Sequence, residues 1–279
     1  MVAANSAIYQ RVAHLQKMIR SDDVVVSSET GVRHNVRKVL LAKLHGKKVV
    51  REINEWPLSV IWGEGRFKQW VEIHLLPKLF DGFICISDAL VEFCRDHGRK
   101  DVPIFKLPMT VDCDAIDCVI RDGGVCRGDY VCYAGGLSEA KDGVETLKRA
   151  CVGYELKILN GLPHDDAIRI MAGARCLALA RPDSLQARSG FPTKLGEYLA
   201  LGRPVVVTKV GEIPRYLKDG MSAYLVDPGD TEGFAEKIHE VFADPERAER
   251  IGKAGREVAV RCFDYKVHAA ALAEWIQSI

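Results

Sequence analysis

Residues 189–217, SGFPTKLGEYLALGRPVVVTKVGEIPRYL, require a loop, a helix, a tight turn and a buried strand in that order. Pro192 suits the first position of a helix, because that position needs no backbone N–H. Gly202 follows the apolar stripe of the predicted helix 193–201 as a carboxyl-terminal cap, and Pro204 prevents continuation. The wholly apolar segment 205–207 is typical of a strand buried on both faces of a parallel sheet. The stretch therefore predicts an α/β fold.

The loop before this helix also indicates an anion site. A glycine-containing loop that leads into a helix presents free backbone N–H groups and the positive end of the helix dipole. Glu197 is predicted to lie opposite the Leu195/Leu199 stripe, where its carboxylate suits a diol such as ribose. The pattern favours a nucleotide-diphosphate site. The alternative is an ordinary βα loop, with Lys194 and Glu197 forming a solvated i,i+3 pair.

Strands and helices alternate along the rest of the chain. Short apolar segments predict strands at 24–26, 48–53, 83–86, 103–108, 129–134, 154–159 and 176–180. Segments with helical spacing separate them, beginning with helices at 8–19, 32–44 and about 65–79, and Ser87 is predicted to cap a helix. The alternation predicts parallel sheets with right-handed crossovers.

The 189–217 stretch resembles the donor-site signature of retaining glycosyltransferases with the two-domain GT-B architecture, family 4 in particular. That family commonly shows Glu-Gly-Phe-Gly-x-x-x-x-Glu, then a helix, then Gly-x-Pro-Val-Val. The matching positions are Gly190, Phe191, Glu197, Gly202, Pro204 and Val205. Ser189 stands where the first Glu would be, and Pro192 replaces a Gly. FDGFICISDAL and IFKLPMTVD are similar to stretches of the family's first domain. DGMSAYLVDPGD, residues 219–230, resembles a β-hairpin-like connection of its second domain, and the resemblance covers about 24–279.

The resemblance implies two Rossmann-like domains of GT-B type, the N-terminal one truncated. We expect a partial acceptor-side domain at 1–112, a linker at 113–128 and a nucleotide-sugar-binding domain at 129–265. A helix at 266–279 would cross back to the first domain, with Leu272 and Trp275 as docking residues. Two or three βα units of about thirty residues each are missing relative to the family, which is expected of a fragment, a mis-started product or a natural truncation.

The resemblance also implies the site residues. Glu197 would hold the ribose hydroxyls and Lys141 would contact the donor diphosphate, so both are assigned to catalysis. The donor-binding set is Gly135, Gly136, Arg181, Ser189, Gly190, Phe191, Thr193 and Lys194. Glu52 and Glu55 are expected to face the acceptor, and no metal is expected. The alternatives are a surface role for Lys141, an Arg181–Asp183 pair, and a solvated turn at Glu52 and Glu55.

Composition limits the other function classes. The formal net charge is +1, so no bulk attraction to nucleic acid is implied. The nine cysteines show no metal-type spacing, which is typical of reduced thiols in a cytosolic protein. No apolar run reaches about 18 residues, and the first residues do not resemble a signal peptide. We expect a cytoplasmic location, with peripheral contact at the inner face of a membrane left open.

Three functions are compatible with these features. The first is a retaining, metal-independent glycosyltransferase that uses no cofactor. It would move a sugar from a UDP- or GDP-sugar to a glycan or lipid-linked acceptor, for example in polysaccharide biosynthesis. The second is a catalytically inactive truncated remnant that binds a nucleotide-sugar or a partner chain covering the exposed sheet edge. The Ser189 substitution and a shortened second domain favour it. The third, an epimerase or phosphorylase, lacks a supporting motif.

Overall fold

The structure, a computed structural model, describes residues 24–28, 31–57 and 65–279, which divide into two units. The amino-terminal unit contains the described residues up to 108 together with 188–191 and 268–279. The carboxy-terminal unit contains 109–187 and 192–267. The helix predicted at 8–19 lies outside the described residues. The α/β fold with parallel sheets is confirmed in both units.

The amino-terminal unit contains one parallel sheet in the order β1-β2-β3-β4. Its strands are β1 Val24–Ser27, β2 Lys48–Ile53, β3 Gly82–Cys85 and β4 Ile104–Lys106. The helices of this part of the chain are α1 Val32–Leu44, α2 Arg66–His74, a 3-10 turn at Leu76–Leu79 and α3 Asp88–His97. The predicted cap of α3 is confirmed, because the Ser87 hydroxyl accepts a hydrogen bond from the Leu90 N–H at 3.3 Å.

The last helix, α13 Tyr265–Gln277, packs on this sheet through its carboxyl-terminal half. Leu272 and Ile276 are buried against Val50 and Ile84. Trp275 packs against the same cluster, and its ring lies 5.6 Å from that of Phe105. The apolar spacing of residues 272, 275 and 276 therefore places one face of the helix on the sheet.

The carboxy-terminal unit contains a five-stranded parallel sheet in the order β6-β5-β7-β8-β9. The strands are β5 Tyr130–Ala134, β6 Glu155–Leu159, β7 Cys176–Leu179, β8 Val205–Thr208 and β9 Tyr224–Val226. The helices between residues 109 and 258 are α4 Cys113–Gly123, α5 Glu139–Asp142, α6 Val144–Ala150, α7 His164–Gly173, α8 Leu185–Ser189, α9 Thr193–Ala200, α10 Ile213–Tyr216, α11 Thr231–Ala243 and α12 Pro245–Val258. The strand order reverses between β5 and β7, which makes that point the topological switch of the sheet.

Three local predictions differ from the structure. The predicted linker 113–128 is mostly helix α4, because Asp112 caps its first turn and Cys113 and Ile116 bury one face. The connection around 219–230, predicted to resemble a β-hairpin, instead supplies β9, which pairs with β8 in parallel. The long helix predicted from Gly65 to Leu79 ends at His74, and Pro77 lies in the separate 3-10 turn that follows.

Candidate active site

Several predicted donor-site residues lie at the switch point of the carboxy-terminal sheet. Gly135 and Gly136 follow β5, and Arg181 follows β7. The hydroxyl of Thr208, the last residue of β8, donates a hydrogen bond to the Arg181 carbonyl at 2.8 Å. The loops after β5, β7 and β8 are therefore neighbours at the carboxyl edge of the sheet. Ligands of open α/β sheets bind in the crevice at such an edge.

Lys194 extends from the first turn of α9 into this edge and makes two polar contacts there. Its ammonium group lies 3.0 Å from a carboxylate oxygen of Asp142 and donates a hydrogen bond to the Tyr133 hydroxyl at 2.9 Å. The Tyr133 hydroxyl in turn donates to the Gly136 carbonyl at 2.8 Å. The side chain of Asp142 is buried, so its charge is neutralised mainly within the protein.

Two further cations surround this pair. Burial lowers the pKa of Lys194, Asp142 opposes that change, and the positive charges of Arg181 and Lys141 lower the pKa further. Arg181 is buried, whereas Lys141 is partly exposed at the end of α5. Burial raises the pKa of the Tyr133 hydroxyl, and the carboxylate of Asp142 raises it further. The Lys194–Asp142 pair thus lies within the electrostatic reach of two more cations, so this group of four side chains is net positive and attracts an anion.

Two glycines allow the backbone to approach these side chains. Gly135 has φ 153°, and a Cβ there would overlap the ammonium group of Lys194 and the hydroxyl of Tyr133. Gly143 has φ 64°, and a Cβ there would overlap the carbonyl oxygen of Ala180 at the end of the β7 segment. Both positions therefore favour glycine for conformation, and at Gly143 the neighbouring backbone also leaves no space for a Cβ.

Helix α9 is anchored to the sheet, so its polar face points away from the core. Leu195, Tyr198 and Leu199 are fully buried, as the apolar stripe predicted. The Tyr198 hydroxyl accepts a hydrogen bond from the Ala134 N–H at 2.7 Å, which ties the helix to the end of β5. Thr193 is exposed in the first turn of the helix. These contacts fix the position from which Lys194 and Glu197 project.

Glu197 binds a side chain that the sequence did not identify. Its carboxylate lies 3.0 Å from Nε2 of His164, the first residue of α7. The hydrogen bond that the His164 ring donates to the Glu197 carboxylate raises the pKa of His164, burial opposes this, and Asp165 adds a smaller rise. The solvated pair considered for Lys194 and Glu197 is absent among the described contacts, since each has a different partner.

The other predicted site residues belong to the amino-terminal unit. Ser189, Gly190 and Phe191 are buried, and the Ser189 carbonyl accepts a hydrogen bond from the Ser87 hydroxyl. Glu52 and Glu55 lie at and just beyond the carboxyl end of β2, where the Glu52 carboxylate accepts a hydrogen bond from the Asn54 side chain at 2.9 Å. The described contacts do not bring these five residues into the Lys194 cluster.

Tyr133, Asp142 and His164 were missed by the sequence interpretation. Asp142 lies next to Lys141 and immediately before Gly143. The tight turn at Gly143 was the sequence feature that could have pointed to Asp142. Tyr133 is one of several apolar-looking residues in β5, and nothing in a strand pattern marks its hydroxyl. His164 has no periodic signal, because its role depends on a side-chain contact between the first residue of α7 and Glu197 in α9.

The described residues contain neither a metal-ligand cluster nor a membrane-spanning helix, and their cysteines are free. In that part of the chain, no group of three or more His, Cys, Asp and Glu side chains converges as metal ligands would. All nine cysteines are free thiols. None of the described helices combines the length and the apolar character that a membrane crossing needs.

Comparison with known proteins connects this unit to a family. Residues 129–258 match the family described as Glycosyl transferases group 1. The chain is 39% identical over 59 residues to D-inositol 3-phosphate glycosyltransferase of Thermobifida fusca, which covers 21% of this chain and 14% of that protein. It is 30% identical over 91 residues to trehalose phosphorylase of Pleurotus pulmonarius, which covers 33% of this chain and 12% of that protein. The aligned stretches thus span only a small part of these relatives.

Solved structures match nearly the whole chain. Sucrose-phosphate synthase of Thermosynechococcus elongatus superposes with a TM-score of 0.73 at 15% identity, over 92% of this chain and 73% of that one. HepE of Anabaena, solved in complex with UDP, superposes with a TM-score of 0.71 at 17% identity, over 95% and 82%. The α/β fold with parallel sheets is therefore that of GT-B glycosyltransferases.

Proposed function

We propose that the chain is a retaining glycosyltransferase that takes its sugar from a nucleotide-diphosphate donor, without a metal or other cofactor. The observation that carries this proposal is the group of Lys141, Arg181 and Lys194 at the switch point of the carboxy-terminal sheet. A diphosphate leaving group gains negative charge as the glycosidic bond breaks, and fixed cations at that position stabilise it. HepE, with the same fold, was solved with UDP.

Individual side chains have distinct roles in this proposal. Lys141, partly exposed, acts as a point charge on the diphosphate. Lys194 is held by Asp142 and Tyr133, so its ammonium group is already oriented before the donor binds. Glu197 accepts hydrogen bonds from the ribose hydroxyls, beside or in place of His164. The acceptor is a glycan or a lipid-linked sugar, and the protein works in the cytoplasm or at the inner face of a membrane.

Nucleotide binding to the whole chain tests the donor site. Calorimetric titration with UDP, GDP and ADP should give binding to one of them, and its identity names the base. Lys141→Ala should weaken binding about 10- to 100-fold, because one charge-assisted contact is worth about 1.5–3 kcal/mol. Glu197→Ala should weaken it as well. Lys148→Ala removes an equal charge from the exposed surface of α6 and should bind as the unchanged chain does.

The absence of binding in a folded sample would refute the donor site. Retention is tested by the anomeric configuration of the product in NMR spectra, and metal independence by turnover in the presence of EDTA.

A binding protein without activity is the second candidate. Ser189 stands where the family resemblance expects a carboxylate, and it offers no second acid near the donor sugar. Hydrolysis or transfer of the sugar from UDP- or GDP-glucose separates the two candidates, because the inactive protein would bind the nucleotide without turnover. Trehalose with inorganic phosphate should be included as a substrate pair, since trehalose phosphorylase of Pleurotus pulmonarius is among the similar proteins.

A further inference from the structure

A second cluster of charged side chains lies at the opposite edge of the carboxy-terminal sheet. Asp129 directly precedes β5, Arg175 directly precedes β7, and Arg203 lies two residues before β8. Together with Arg127 and Glu249 they line a cavity of about 310 Å³. Strands of four or five residues put about 13–17 Å between this edge and the edge that carries the candidate donor site. The two sites are therefore separate.

The three arginines have more donors than the cavity has acceptors. Nε and Nη2 of Arg175 donate to the same oxygen of Asp129, at 2.9 and 2.6 Å. Nη1 of Arg127 donates to Glu249 at 3.1 Å. Arg203 donates from Nε to a backbone carbonyl at 2.7 Å, and its Nη1 lies 4.0 Å from Glu249. Each guanidinium has five N–H donors, so several remain that no described residue accepts.

The cluster also carries a net positive charge. Three guanidinium groups face two carboxylates, and Arg203 is buried whereas Asp129 and Glu249 are 75% and 50% exposed. Burial lowers the pKa of Arg203, the charge of Arg127 lowers it further, Glu249 opposes this, and Arg175 adds to the lowering. The five charged side chains that line the cavity therefore carry a formal charge of +1, and Arg203, the most buried of them, is a cation.

We propose that this cavity binds a phosphate dianion, either free or carried by a small phosphorylated molecule. Guanidinium groups match phosphate oxygens in a bidentate fork, and three of them border this one cavity. Its volume lies at the lower end of the range for small-molecule sites, about 300–1,000 Å³. The bound phosphate takes the place of Glu249 on Arg127 and accepts the donors of Arg203 and Arg175 that face the cavity. The site is independent of the proposed donor site.

Calorimetric titration of the full chain with inorganic phosphate and with glycerol 3-phosphate, at constant ionic strength set by sodium chloride, tests the proposal. Arg127→Gln should weaken binding about tenfold, since one charged donor is lost. Glu249→Gln should tighten it about threefold or more, because the competing carboxylate becomes neutral. Arg250→Gln, an equal charge change on the exposed face of α12, should leave the affinity unchanged.

The pattern among the variants decides the result. A gain of affinity in Glu249→Gln cannot arise from partial unfolding, so it supports the site even if Arg127→Gln is less stable. The affinity must also be unchanged in Lys141→Ala, because binding at the donor edge would be weakened by the loss of that charge. Tighter binding of glycerol 3-phosphate points to a phosphorylated small molecule, and equal affinities point to free phosphate. The proposal is overturned if neither anion binds, or if Arg127→Gln and Glu249→Gln behave like Arg250→Gln.

Discussion

Asp142 shows how one buried carboxylate can organise a cationic site. It holds the ammonium group of Lys194 at 3.0 Å, and its charge also reaches the Tyr133 hydroxyl, whose pKa it raises after burial. Without this carboxylate, Lys194 would lie buried beside Arg181 and Lys141 with little compensation, and would tend to lose its proton. Asp142 is thus a positioning residue that keeps Lys194 charged and in place.

The His164–Glu197 pair should make stability depend on pH. The pKa of His164 is raised in the folded chain, so the pair stabilises the fold below the unfolded pKa of about 6.5 and loses this contribution as the pH rises through the folded pKa. The free-energy difference between the unchanged chain and His164→Gln should therefore be larger near pH 5.5 than near pH 8.5. Urea unfolding at each pH measures it.

Glu197→Gln is the matched control for that pair. It keeps the size of the side chain and removes the charge, so the pKa of His164, followed by NMR, should fall towards its ordinary value. A pKa of His164 that stays the same in Glu197→Gln would contradict the assigned cause. The smaller effect of Asp165 would then have to explain the shift.

At the scale of single residues, the sequence predicted the cations of the site better than their partners. Lys141 follows a position of the family resemblance, Arg181 follows a predicted strand, and Lys194 lies at the start of a predicted helix, and each of these signals is local in sequence. Asp142, Tyr133 and His164 act through contacts between elements that are 33 to 61 positions apart. Such contacts follow from how strands and helices pack, and no local pattern contains that information.

The short helix α5 and the turn after it position the loop that carries Lys141 and Asp142. Ser138 caps the helix, since its hydroxyl accepts a hydrogen bond from the Lys141 N–H at 3.2 Å. Gly143 then ends α5 in a left-handed conformation and also begins α6. A four-residue helix has almost no stability of its own. Its geometry therefore depends on the close approach of Gly143 to Ala180.

Gly143→Ala should destabilise the carboxy-terminal unit strongly. The left-handed conformation costs a residue with a Cβ about 1–2 kcal/mol, and the overlap with the Ala180 carbonyl adds about 1–3 kcal/mol. Gly153→Ala is the matched control, because Gly153 has φ 93° but nothing near its missing Cβ, so only the conformational cost applies. Denaturant unfolding compares them, and equal losses of stability would mean that the backbone relaxes away from Ala180.

At the scale of elements, strands were predicted more reliably than connections. A strand that is buried on both faces is recognisable in the sequence as a run of apolar residues. Val205–Thr208 and Cys176–Leu179 are such strands. Helix α4 was predicted as a linker because only two of its residues, Cys113 and Ile116, are buried. Its other residues, among them glycine and several aspartates, give no clear apolar periodicity. The sequence also does not predict which strand pairs with β9, because the parallel pairing with β8 depends on the order of strands in the whole sheet.

Each unit is built from segments that are not contiguous in the sequence. Residues 268–279 follow the carboxy-terminal unit in sequence, yet they belong to the amino-terminal unit and complete its core. Residues 188–191 likewise interrupt the carboxy-terminal unit in sequence and belong to the other. The family resemblance had suggested a returning helix at 266–279, whereas nothing in the sequence between β7 and α9 suggested the second exchange.

Ile276→Ala should loosen the four-stranded sheet although residue 276 lies more than 160 positions after that sheet ends. Ile276 is buried against Val50 and Ile84, so its truncation should cost about 2–4 kcal/mol. Hydrogen exchange at the amides of Val50 and Ile84 should accelerate about thirtyfold or more, since 1.4 kcal/mol is about tenfold. Amides of β8 should change much less. Val267→Ala, an exposed position on the same helix, should leave both sheets as they are. Faster exchange confined to β8 in Ile276→Ala would show that α13 supports the other sheet instead.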